Sequence, residues 1–126
     1  MRLEHHLLGH FNIYFDDTIS EQVFCDNATN RKRLYGTENQ GKYFKDGIND
    51  YITLGTPTVN PEKKGTKGSA VYKLKIEGGQ KATVKVRISK DKLNDPFSDF
   101  DYLFQQRKDE SDQYYAEKQS QIPTEE

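Results

Sequence analysis

Cysteine is nearly absent. Cys25 stands alone in 126 residues, which excludes an intrachain disulfide and a metal site built from cysteines. No apolar run is long enough to span a bilayer, and the opening MRLEHHLLGHFNIYF lacks the apolar core of a secretory signal. The sequence therefore predicts a soluble, cytoplasmic protein, in which the sequon Asn27-Ala28-Thr29 carries no weight. An excess of one charge sign is missing too. A net charge of -1 and a pI near 6.3 leave no global field toward nucleic acid or an anionic membrane. Apolar residues are also scarce: 33% even with Tyr counted, at a mean hydropathy of -1.00. An ordinary globular domain holds roughly 45–50%, counting Gly and omitting Tyr. Either the ends are solvated or the core expects a partner surface. Seven Phe and eight Tyr argue against wholesale disorder.

What is present is dominated by Gly65 to Ser89, GTKGSAVYKLKIEGGQKATVKVRIS. Ala70, Tyr72, Leu74 and Ile76 alternate with Val71, Lys73 and Lys75, and Ala82, Val84, Val86 and Ile88 alternate with Thr83, Lys85 and Arg87. Period-two alternation in two runs predicts an antiparallel hairpin buried on one face. Pairing Ile76 with Ala82 aligns Leu74 with Val84, Tyr72 with Val86 and Ala70 with Ile88, around an odd-length loop at Gly78-Gly79-Gln80.

Upstream, residues 7–15 place Phe11, Ile13 and Phe15 on one face of a short strand, and Glu21 to Asp26 is a second. Residues 26–50 show neither period and read as a long structured loop, of the kind that is functional or packs on another module. Tyr51 to Leu54 resumes a strand, broken by Thr56-Pro57 and Asn60-Pro61. Beyond Lys90 the period changes. Asp95 as N-cap and Pro96 as first residue open a helix to about Ser120, with Phe97, Phe100, Leu103 and Phe104 on one stripe and a polar second half. The expected class is mainly β: an antiparallel β-sandwich, complete or cut short, over 1–94, one C-terminal linker helix over 95–120, and a tail over 121–126.

Residues that carry chemistry are weighed against plainer roles. His5, His6 and His10 do not make a metal site, because adjacent histidines on a strand point to opposite faces. Asp91, Asp95, Asp99 and Asp101 lack the glycine and terminal glutamate of a calcium loop and instead complement a helix dipole. No cofactor is implied. Arg31, Lys32, Arg33, Lys42 and Lys45 interleave with Tyr35, Tyr43 and Phe44, but nearby acids weigh against nucleic acid. Cys25 reads as a buried inert thiol. The candidate binding set is Asn30, Arg33, Lys45, Asp46, Asn49 and Tyr51. Its amides, guanidinium and carboxylates suit sugar hydroxyls or a polar interdomain interface, and Asn and Asp also simply build turns.

The strings NATNRKRLYG, YFKDGINDYITLG, VNPEKKGTKGSAVYKLKI and DPFSDFDYLFQQRKDESDQYYA, in that order, resemble one family. It is the N-terminal β-sandwich region of glucosidase-type proteins of glycoside hydrolase family sixty-three, related to mannosyl-oligosaccharide glucosidase. The resemblance covers about residues 9–120. It implies a β-sandwich joined by a helical linker to an (α/α)6 barrel, in cis or in trans, and an oligosaccharide as a further partner. The family's general acid and base lie on that barrel, so its catalytic residues carry over to no position here. Inverting glycosidases need two carboxyl groups about 6.5–9.5 Å apart. The expectation is a non-catalytic region, inactive alone, that braces the barrel and contributes to a carbohydrate site. The alternative is a stand-alone β-sandwich module that binds carbohydrate or protein.

Overall fold

The computed structural model describes residues 1–120 and 122. The fold is mainly antiparallel β, in two small sheets that close into no barrel, followed by one C-terminal helix, as the sequence predicts. The chain forms two units, Met1–Asp16 with the residues from Lys85 onward, and Asp17–Val84.

In the first unit β1 (Arg2–His5), β2 (Gly9–Phe15) and β5 (Val86–Ser89) form a three-stranded sheet with β2 at the centre. The turn into β2 is built on Gly9, whose φ of 81° only glycine adopts freely, and His5 Nδ1 accepts from the Leu7 and Leu8 amides at 3.2 Å. Register puts Ile13 beside Ile88 and Phe15 beside Val86. The strand predicted at 7–15 therefore forms from Gly9 onward, with Leu7 and Leu8 in the preceding turn. Ile13 is its buried residue, and Phe11 and Phe15 on the same face are half-buried.

Helix α3 (Phe100–Gln119) begins four residues later than the predicted start at Pro96. Asp95 spends its carboxylate on a local turn, accepting from Phe97 N at 3.3 Å, rather than on capping. Asp99 takes the N-cap position without capping, because its carboxylate accepts from Arg87 Nη1 on the neighbouring strand. Arg87 also donates to the Pro96 carbonyl at 3.0 Å, and Lys85 reaches Asp101 at 2.8 Å. Arg87 of β5 and Lys85, just before it, thus moor the helix start. Along the helix, Gln105–Asp109, Gln106–Glu110 and Gln113–Glu117 pair at i,i+4. None of its residues is buried, and Tyr114 and Tyr115 lie exposed. The predicted tail at 121–126 lies outside the described residues except for Ile122.

The Arg87 hydrogen bond holds the Asp99 carboxyl below its usual range, against a smaller opposing effect of burial. A depressed carboxyl stabilises the fold above the ordinary aspartate value near 3.9 and loses that contribution as pH falls through the lowered one. Acid titration of the native chain should therefore loosen the helix start in that window. Near-ultraviolet circular dichroism of the Phe97–Phe100 edge-to-face pair, 5.9 Å between centroids, reports it. Asp99→Asn should remove this part of the acid transition; an unchanged profile would show that the pair contributes nothing.

In the second unit β3 (Glu21–Cys25), near the predicted 21–26, pairs antiparallel with β4 (Lys67–Val71). Helix α2 (Gly47–Leu54) packs on that pair, and α1 (Arg31–Tyr35) precedes it. The core cluster is Val23, Cys25, Ile48 and Val71, with Tyr43, Tyr51 and Val59 packed against it. Two glycines permit this closeness. A Cβ on Gly65 would stand 2.2 Å from the Cys25 carbonyl oxygen, and one on Gly47 would stand 2.4 Å from that of Thr58.

Three expectations are corrected here. Residues 26–50 are not one loop: they hold α1 and the start of α2. Residues 51–54 are helix rather than strand, because Ile48 and Tyr51 at three-residue spacing face the core and Gly55, at φ 67°, ends the helix with its N–H on the Tyr51 carbonyl. The central hairpin is the third. A turn does form at Gly78-Gly79, where Gln80 N donates to the Glu77 carbonyl at 3.0 Å, but residues 72–85 form no strand. β4 takes β3 as partner, and β5 takes β2. The expected buried face does not form either: Val71 is in the core, Ala70 and Tyr72 are half-buried, and Leu74 and Ile76 are exposed together with Lys73 and Lys75. The expected register explains the failure, since it sets Lys73 opposite Lys85, and like charges facing across a ladder are unfavourable. Lys85 instead pairs with Asp101, and Lys75 with Glu77.

Candidate functional site

The site grows from the caps of the two short helices. Asn30 is the N-cap of α1, its Oδ1 accepting from Arg33 N at 3.1 Å, and Gly36 in the left-handed region closes the other end. Asn39 folds back on this cap: its Nδ2 donates to Asn30 Oδ1 at 2.9 Å, and its Oδ1 accepts from Lys32 N at 3.0 Å. Asp46 precedes α2, and Asp50 lies one turn further on. Arg33 Nη1 stands between them, 3.0 Å from Asp46 Oδ2 and 2.6 Å from Asp50 Oδ2. Asn30 Nδ2 adds a bond to the same Asp46 oxygen at 3.1 Å. Asp46 Oδ1 is buried without a hydrogen-bond partner among the described residues.

These groups line an open cleft of about 390 Å³ with Lys32, Lys42 and Thr58 beside them and Phe44 half-walling it. The hydrogen bond that Arg33 donates to Asp46, then the charge of Asp50, pushes Arg33 above the usual guanidinium range. The nitrogen occupies the space between the two carboxylates, so the arrangement is a clamp that joins α1 to α2. It offers amide, ammonium and carboxylate groups to a polar ligand at its rim.

Of the predicted residues, Asn30, Arg33 and Asp46 come together and Lys45, Asn49 and Tyr51 do not. Lys45 contributes backbone, its N–H to Ala28 and its carbonyl to Lys67 Nζ at 3.1 Å, while its side chain is exposed. Asn49 is exposed and gives its carbonyl to Thr53 Oγ1 at 2.8 Å. Tyr51 points to a second cleft of about 320 Å³ and donates to Glu21 Oε2 at 2.9 Å; that bond raises its phenol above the usual tyrosine range. Asp50 and Asn39 were missed. Asp46 and Asp50 are four apart, a spacing that has meaning only once the segment is seen as helix. Cys25 is fully buried, and burial raises its thiol, with Lys67 acting weakly the other way. Among the described residues no three His, Cys, Asp or Glu side chains are grouped to hold a metal, and no helix is long and apolar enough to cross a membrane.

Arg33→Met should release α1, seen as faster amide exchange at Leu34 and Tyr35 with the β3–β4 amides unaltered. Arg33→Lys should retain much of the protection, because a single nitrogen makes both contacts. Equal loss in both variants would mean that the planar guanidinium, rather than the point charge, is required.

Comparison with known proteins places the chain beside an uncharacterized protein of Saccharomyces cerevisiae, 37% identical over 106 residues. That similarity covers 74% of this chain and only 10% of the yeast protein, so the chain spans about a tenth of the relative's length. No family model matches the chain. No solved structure matches it either.

Proposed function

We propose that this chain is the non-catalytic β region of a larger glycoside hydrolase of the family sixty-three type, working in the cytoplasm. It braces an (α/α)6 barrel, in cis or in trans, that performs the chemistry on an oligosaccharide. The observation that carries this reading is α3. Phe100, Leu103 and Phe104 form a short apolar stripe at the start of the helix, yet none of them is buried, and Phe104 is 67% exposed. Such a stripe calls for a covering surface. The four sequence blocks in order, and a relative about ten times longer than the matched region, support the same reading.

The test is immunodepletion of the source lysate with an antibody raised to Gly65–Ser89. The expected result is loss of α-glucosidase activity together with a species much larger than 14.6 kDa, or a barrel polypeptide bound in trans. The purified chain should not hydrolyse an aryl α-glucoside. Turnover by the purified chain that one carboxylate substitution abolishes would overturn the proposal.

A stand-alone binding module is the second reading, and the open Asn30–Arg33–Asp46 cleft favours it. It requires saturable glycan binding by the isolated chain that Asp46→Asn weakens.

A further inference from the structure

A two-stranded sheet is marginal alone and is stabilised by further strands or by a packed helix, the part α2 plays for β3 and β4. Among the described residues the sheet of the second unit consists of β3 and β4, and the edge of β4 away from β3 carries no strand. Beyond Val71 the chain keeps the alternation of a strand without forming one. Tyr72, Leu74 and Ile76 alternate with Lys73 and Lys75, and Leu74 and Ile76 are 47% and 53% exposed. The Val71 carbonyl and the Lys73 N–H are both taken by Ser20, on the β3 side. In an extended chain successive residues turn their N–H and C=O to opposite edges, so an extension of β4 in the same register would direct those of Leu74 outward.

We propose that the outer edge of β4, continued through Ile76, accepts an extended segment of a partner polypeptide whose side chains alternate apolar and acidic. The apolar side chains of that segment cover Leu74 and Ile76, and its carboxylates face Lys73 and Lys75. Both lysines are exposed, and among the described residues they form one ion pair, Lys75 with Glu77 in its own segment, between side chains 90% and 70% exposed and therefore weak. A second copy fits badly. The antiparallel register about Leu74, which alone matches all three apolar residues, sets Lys73 against Lys75 twice. Addition of a strand to an open edge is a general mode of peptide capture, with backbone bonds supplying affinity and alternate side chains specificity. The inference stands whether or not the larger protein is a glycosidase.

The test is a nuclear magnetic resonance titration of the full chain with two short peptides, one alternating valine and glutamate, the other valine and lysine. The expected result is saturable shifts at Lys73–Ile76 and slowed hydrogen exchange of the outward Leu74 and Ile76 amides with the acidic peptide, and binding about tenfold weaker with the basic one. In a Lys73→Glu, Lys75→Glu variant the preference should reverse. Equal binding of the two peptides, no binding of either, or an unreversed preference would overturn the proposal. So would protection of these amides in the free chain, whether through residues 82–84 or through a concentration-dependent dimer.

Discussion

Gly65→Ala is expected to destabilise the second unit by about 3 kcal/mol, a fall in its midpoint of roughly 12–24 °C for a unit of this size. The added methyl would meet the Cys25 backbone at 2.2 Å from oxygen, 2.7 Å from carbon and 3.1 Å from nitrogen. No side chain can swing aside, because all three atoms belong to β3. Moving that backbone breaks the register in which Cys25 faces Lys67, and with it the only pairing that β4 has among the described residues. Cys25 itself supplies the readout. Its thiol is fully buried and held above its usual range, so a disulfide reagent near neutral pH reacts only as the unit opens. Reaction should be slow in the parent and fast in Gly65→Ala. Gly78→Ala is the control, since a Cβ there meets open space; it should change stability by no more than about 0.5 kcal/mol. Equal behaviour of the two variants would mean that the close approach of Gly65 to Cys25 is not a feature of the native state.

Ile48→Ala should cost the same unit about 2–4 kcal/mol. Ile48 is one of the four residues that form the buried cluster, and it is the one through which α2 reaches Val23, Cys25 and Val71. A core this small cannot redistribute the lost contacts, so both the transfer term and the cavity term apply. Ile48→Val, which removes one methylene, should cost about 0.5–1.5 kcal/mol. Urea unfolding followed by tyrosine fluorescence reads the series, because Tyr43 and Tyr51 pack on the cluster. A loss below about 1 kcal/mol in Ile48→Ala would show that α2 is held by the Arg33 clamp and the Tyr51–Glu21 hydrogen bond rather than by burial.

Strands β2 and β3 and the last helix were legible because their signals are local and strong. Phe11, Ile13 and Phe15 alternate, as do Val23 and Cys25, and both strands lie where that period places them. The short helices hid behind polar composition. Their sequences, Asn30-RKRLY-Gly36 and Asp46-GINDYITL-Gly55, are bracketed by a residue suited to the N-cap and a left-handed glycine, a pattern of ends that periodicity does not detect in so few turns. The hairpin failed for the opposite reason. Alternation at 70–88 is real, but it says nothing about who the partner is, and the charges on Lys73 and Lys85 disfavour the nearest one. The same blindness split the site. Asn30, Arg33 and Asp46 were found by residue type, whereas Asp50 becomes visible only when a helical turn carries it under Arg33.

The two points where the chain leaves and re-enters the first unit are stapled together. Asp16 N donates to the Lys85 carbonyl at 3.1 Å, and Lys85 N returns a bond to the Asp16 carboxylate. Everything from Asp17 to Val84 therefore behaves as a cassette spliced into a hairpin corner, with its entry and exit adjacent. A lineage can lengthen, exchange or delete such a cassette and leave the receiving strands β2 and β5 in register. The short corner that would remain after deletion spans a gap already closed by hydrogen bonds, so recombination at this stem is a route by which the first unit can travel without the second.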